Sequence, residues 1–170
     1  GDTSKLWIEI GNELDGSYWK NHLDAFHRTA MTCYERIRSI TTQAKVITGS
    51  TMNFNREICW KRGGYEVLDE LCRLSWPRDS IQGVHPYRGG GRYWPSFDSD
   101  ADALDELGDV LRGRAIAITE MGWASGTGHS DGAIAQMARE EIAMWWEFGA
   151  ECFVFYQIAD APTPGNIGEG

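Results

Sequence analysis

The stretch AIAITEMG, residues 115–122, starts as an unbroken apolar run and ends in a carboxylate, with glycines close on either side. A strand with one wet face alternates polar and apolar residues, so a continuous run this short reads as a strand buried on both faces. Such a strand belongs in a parallel sheet covered by helices, and the flanking sequence supplies them. Residues 101–111 and 132–148 carry apolar residues at helical spacing. Working outward, the same alternation recurs: LWIEI (6–10), a helical stretch over 19–40, KVITGS (45–50), a helix over 65–74, SIQGVHPY (80–87) and finally CFVFYQI (152–158). Five strands separated by four helices predict βαβ crossovers and an α/β fold with a parallel sheet.

A TIM-type barrel and an open doubly wound sheet both fit that pattern. The dinucleotide-binding version of the open sheet is disfavoured, because GNELDG (11–16) after the first strand lacks the G-x-G-x-x-G spacing. Polar and aromatic residues gather after every strand: GNELDGSYW (11–19), TMNFNRE (51–57), HPYRGGGRYWPS (85–96), EMGWASGTGHSD (120–131) and QIADAPTPGN (157–166). In a barrel all five lie at one mouth, where the site is built.

Composition narrows the function classes. At 170 residues and 42% hydrophobic content, one domain with a true core is expected over the whole chain. The formal charge of −9 has no basic stripe within it, which argues against nucleic acid or an anionic membrane surface as partner. No run of about 20 apolar residues occurs, and the opening GDTSKLWIEI has no signal-peptide pattern. Eight Trp, six Tyr and six Phe make the chain aromatic-rich; any single one is expected in the core, and those the core does not need can stack on flat ligands such as sugar rings. Cys33, Cys59, Cys72 and Cys152 show no metal-binding or redox spacing; Cys33, Cys72 and Cys152 fall in apolar segments and read as small buried hydrophobes. No metal and no cofactor is expected.

Two carboxylates stand at strand ends, Glu13 just after the first strand and Glu120 at the end of AIAIT. Placing two acids at one mouth is unfavourable unless chemistry uses them. Glycosidic bond cleavage does: one carboxyl protonates the leaving oxygen, and in a retaining enzyme the other attacks the anomeric carbon from about 5–5.5 Å away.

The runs WIEIGNELDG (7–16), VHPY (84–87), ITEMGW (118–123) and FYQIAD (155–160) resemble, in this order, signatures of clan A glycoside hydrolases, and in particular their xylosidase-like and cellulase-like branches. The resemblance covers nearly the whole chain and implies the C-terminal portion of a (β/α)8 barrel, strands four to eight. It implies Glu13 as acid/base, Asn12 as a ligand of the sugar hydroxyl beside the anomeric carbon, and Glu120 as nucleophile. It also implies that His85 and Tyr87 tune and position, with Tyr156 near the sugar; independently of the resemblance, Trp94 and Trp123 in the loops after their strands are expected to stack on it. Many cellulase-like members carry Trp where this chain has Tyr156. The partner implied is a carbohydrate. A complete barrel takes about 250 residues, so the N-terminal half of the barrel or a second chain is expected to close the sheet.

Other residues read more plainly. Glu9 is expected to be an inward-facing, hydrogen-bonded structural carboxylate. His22, His27 and His129 are expected at the surface, and Trp145 and Trp146 in the core or packed against the barrel. The rival to the enzyme is a carbohydrate-binding or structural fragment of a barrel hydrolase that has lost turnover.

Overall fold

The computed structural model describes residues 2–16, 18–51, 64–86, 104–105, 107–122 and 130–155. Five strands, β1 (Trp7–Ile10), β2 (Lys45–Thr51), β3 (Ser80–Val84), β4 (Ile116–Met121) and β5 (Ala150–Phe155), form one sheet in chain order. Every neighbouring pair is parallel. A 3-10 turn (Tyr18–Asn21) and helix α1 (Leu23–Ile40) connect β1 to β2, α2 (Gly64–Arg73) precedes β3, residues 107–111 are helical, and α3 (Asp131–Phe148) precedes β5. This is a partial (β/α) barrel, curled rather than open. The curl is visible in side chains that reach past intervening strands: Lys45 Nζ on β2 meets Glu151 Oε2 on β5 at 3.0 Å, and Thr119 Oγ1 on β4 donates to Glu9 Oε1 on β1 at 3.1 Å.

The helices form where sequence lets them start and stop. Ser130 caps α3 by accepting the Ala133 N–H at 3.3 Å, and Gly149 ends it at φ 101, a left-handed cap that favours glycine. In α1, Leu23, Phe26, Ala30 and Tyr34 recur at helical spacing and bury one face. Phe26 and Ala30 pack with Leu14 from the β1 loop and Val67 and Leu71 of α2. A second layer joins Val84, Ile116, Ile118 and Met121 to Leu68, Leu107, Leu111 and Trp145. Inside the curl, Ile47, Ile81 and Ala117 pack together. The core is therefore on both faces of the sheet, which is why its strands lack a polar face.

Three surface expectations are corrected. Trp146 is 67% exposed while Trp145 is buried, because adjacent helical residues point about 100° apart and cannot share a face; Trp146 lies on Phe153 of β5 instead. Cys33 is exposed, Cys72 buried and Cys152 half-buried. His27 is half-buried, with Nε2 2.9 Å from the Ser75 carbonyl and its ring edge-on to Trp76. Below β4, Arg114 donates to Gln82 Oε1 at 2.9 Å and Thr48 Oγ1 at 2.5 Å and lies over Trp76, with burial holding its guanidinium below its usual value. No helix among the described residues is long and apolar enough to cross a membrane.

Candidate active site

Parallel strands bring their C-terminal ends to one mouth, and Glu13, Ser50, His85 and Glu120 all stand there. Two irregularities decide which way they face. Along β2, Ile47 pairs with Ile81 and Ser50 with Gly83, three steps against two. The extra residue is taken up at Thr48–Gly49, where Gly49 has φ 73. A Cβ on Gly49 would lie 2.6 Å from Leu14 Cδ1, so glycine is required by both conformation and space. The bulge lets Ile47 and Ser50 both serve the inner side, which strict alternation forbids.

Along β4 the same device recurs. Ile118 pairs with Phe153 and Met121 with Phe155, again three steps against two. Ile118 and Met121 both pack on the helix-side core, so the residues between them, Thr119 and Glu120, both turn inward. Glu120 arrives at the mouth by that bulge.

Glu13 is placed by strain. Its φ is 45, a left-handed conformation disfavoured for a residue with a Cβ. Ser50 holds it there: its Oγ accepts the Glu13 N–H at 3.2 Å, and its carbonyl accepts the Leu14 N–H at 2.8 Å. Gly11, at φ 84, admits the turn, since a Cβ would sit 2.5 Å from Phe26 Cε2.

His85, with no exposed surface, lies under both acids. Its Nδ1 is 3.4 Å from Glu13 Oε1 and 3.6 Å from Glu120 Oε2. A carboxylate oxygen of Glu13 and one of Glu120 lie within 4.8 Å of one another. Both acids keep a partly open side chain, 31% and 22% exposed, so the pair faces a mouth that a ligand can enter. The gap among these three groups is small enough for a cation. Acid–base chemistry on a sugar uses each of them without one.

No family model and no curated protein matches this sequence. Among solved structures, that of Thermotoga maritima Cel5A in complex with cellobiose is similar over 91% of this chain and 52% of its own, with a TM-score of 0.55 and 19% identity. The fold is cellulase-like. The chain spans about half the length of that protein, and the likeness extends to the partial barrel described above.

Of the residues singled out in the sequence, Glu13, Glu120 and His85 come together, and Asn12 is exposed beside Glu13. Tyr87, Trp94, Trp123 and Tyr156, and with them His129, lie outside the described residues. Sequence reasoning missed Ser50 and Thr119. Ser50 follows Gly49 in an otherwise apolar strand, and a glycine inside a strand is the available signal of a bulge.

Proposed function

We propose that the chain is the C-terminal portion of the catalytic domain of a retaining O-glycoside hydrolase acting on an oligo- or polysaccharide. The observation that carries this reading is the approach of two strand-end carboxylates to within 4.8 Å at one mouth. So near an approach of one oxygen from each acid is in keeping with the short carboxyl separation, about 5–5.5 Å, at which double displacement works. In the first step Glu120 attacks the anomeric carbon while the glycosidic C–O bond breaks and Glu13 delivers its proton to the leaving oxygen. In the second, Glu13 takes a proton from water, whose oxygen displaces the Glu120 carboxylate. Asn12 would bind the hydroxyl beside the anomeric carbon, with Tyr87, Trp94, Trp123 and Tyr156 as the proposed remaining sugar contacts. The similarity in fold to a protein crystallised with cellobiose is in keeping with a carbohydrate ligand.

The sheet has two outer strands, β1 and β5. Trp7 on the first, Val154 and Phe155 on the second, and Trp146 beside it expose apolar surface. Further βα units, from a longer polypeptide or a second chain, would cover these edges.

The test is covalent capture with a panel of 2-deoxy-2-fluoro aryl glycosides. The expected result is a glycosyl mass on the peptide containing Glu120, with products of retained configuration from the unmodified substrates. Inverted products, or a label on another residue, would remove the assignment. Glu120→Ala and Glu13→Ala should each lower turnover by orders of magnitude without unfolding the chain.

A further inference from the structure

Beneath the two acids, Glu9, Thr119 and His85 form a chain of hydrogen bonds that fixes a proton. Thr119 has one hydroxyl proton and donates it to Glu9 Oε1 at 3.1 Å. Its oxygen is also 3.0 Å from His85 Nε2. With the hydroxyl proton committed to a carboxylate, which only accepts, the oxygen turns a lone pair to the ring, and Nε2 must carry the hydrogen. The backbone makes room for this arrangement. A Cβ on Gly83 would stand 3.1 Å from Glu9 Oε1, 3.0 Å from Ile47 Cγ2 and 2.9 Å from the Gly49 carbonyl oxygen.

The consequence lies at the other nitrogen. A neutral ring with its hydrogen on Nε2 presents a lone pair at Nδ1, facing carboxylate oxygens of Glu13 at 3.4 Å and Glu120 at 3.6 Å.

We propose that Glu9 and Thr119 are positioning residues that lock His85 in its Nε2–H form, so that Nδ1 is the ring atom that turns a lone pair to the Glu13 and Glu120 side. Its catalytic meaning rests on the proposed roles of Glu13 and Glu120; the tautomer does not. The charged groups facing His85 among the described residues are Glu9 and Glu13 from the β1 side and Glu120 from β4.

Long-range proton–nitrogen NMR on histidine-labelled protein reads the ring directly, with His22, His27 and His129 as internal references. His85 is expected to carry hydrogen on Nε2 throughout the neutral range. Thr119→Val, which removes the acceptor, should transfer the hydrogen of the neutral ring to Nδ1. A wild-type neutral ring protonated at Nδ1, or a Thr119→Val ring unchanged from wild type, overturns the proposal. In hydrolysis, Thr119→Val and Glu9→Gln should both lower kcat with KM nearly constant, and Thr119→Ser, which keeps the acceptor oxygen, should restore it. Lower activity with the ring hydrogen still on Nε2 would make both residues merely structural. An active enzyme with the wrong tautomer sinks this proposal and leaves the Glu13–Glu120 pair standing, while an inactive chain with the expected tautomer does the reverse.

Discussion

Replacing Ser50 by alanine removes the oxygen that accepts the Glu13 N–H, while leaving the Ser50 carbonyl to hold Leu14. The left-handed backbone of Glu13, at φ 45, is itself unfavourable by about 1 kcal/mol or more. Losing the hydrogen bond and leaving the N–H unpaired adds about 1–3 kcal/mol against that conformation. If this is expressed as escape of Glu13 from its working position, kcat falls about 5- to 150-fold, since each 1.4 kcal/mol is worth tenfold. The same energy lowers Tm by about 2–12 °C in a chain of this size. The assay is paired: kcat and KM on an aryl glycoside that the wild type turns over, and a thermal melt. The expected outcome is a fall in kcat with KM nearly constant. A Tm that drops as expected while kcat stays at the wild-type value would refute the idea that Ser50 holds the acid in place.

The remaining predictions use neighbouring features. Thr51 Oγ1 is buried with no hydrogen-bond partner among the described residues. Thr51→Val should therefore stabilise the chain by about 1 kcal/mol, seen as a higher denaturation midpoint. Gly49→Ala should destabilise by at least about 2 kcal/mol, from the positive φ and the contact with Leu14, and it should lower kcat as well because Ser50 moves with the bulge. Tyr34 and then Arg38 hold the Asp79 carboxyl below its ordinary value. The unfolded chain then binds the extra proton first on acidification, and the stability this group contributes at neutral pH is lost as pH falls below about 4. Asp79 is largely exposed, so Asp79→Asn should remove less than about 1 kcal/mol at pH 7. It should also flatten the fall in Tm between pH 5 and pH 3 to a measurable degree. A chelator should leave hydrolysis unchanged, and loss of rate restored by a divalent cation would assign the Glu13–His85–Glu120 cluster to metal chemistry instead.

Much of the architecture was legible in the sequence. Continuous apolar runs such as KVITGS and AIAIT do not occur on a wet-faced strand, and the helical stretches between them left parallel crossovers as the way to connect them. The boundaries followed from local chemistry, as at Ser130 and Gly149 around α3. The two acids were legible because a Glu at the end of a buried strand is unexpected on packing grounds alone. Trp146 misled because helical spacing marks a stripe, and its neighbour Trp145 already occupies that stripe.

Strand register was the harder problem, and it decides which residues form the site. Counting by twos from Ile118, which packs toward the helices, sends Glu120 to the helix side as well. Counting by twos from Ile47 sends Ser50 away from Glu13. In both strands one extra residue reverses the outcome, and the apolar pattern carries no sign of it in β4, where the bulge contains no glycine. The reason is energetic. A bulge forfeits ladder hydrogen bonds locally, so it persists only where the rest of the sheet over-determines it. Here the core contacts of Ile118 and Met121 pin both ends of the irregular segment of β4, and those of Ile47 pin the start of the one in β2. Thr119 and Glu120 are thus pushed inward by apolar packing behind them, and the reactive geometry is set by residues that never touch a ligand. Shortening Met121 to alanine should accordingly lower kcat beyond what its loss of stability explains, and the effect should be smaller for an equally destabilising truncation at Val110, which packs in the same core cluster but lies outside the irregular segment of β4.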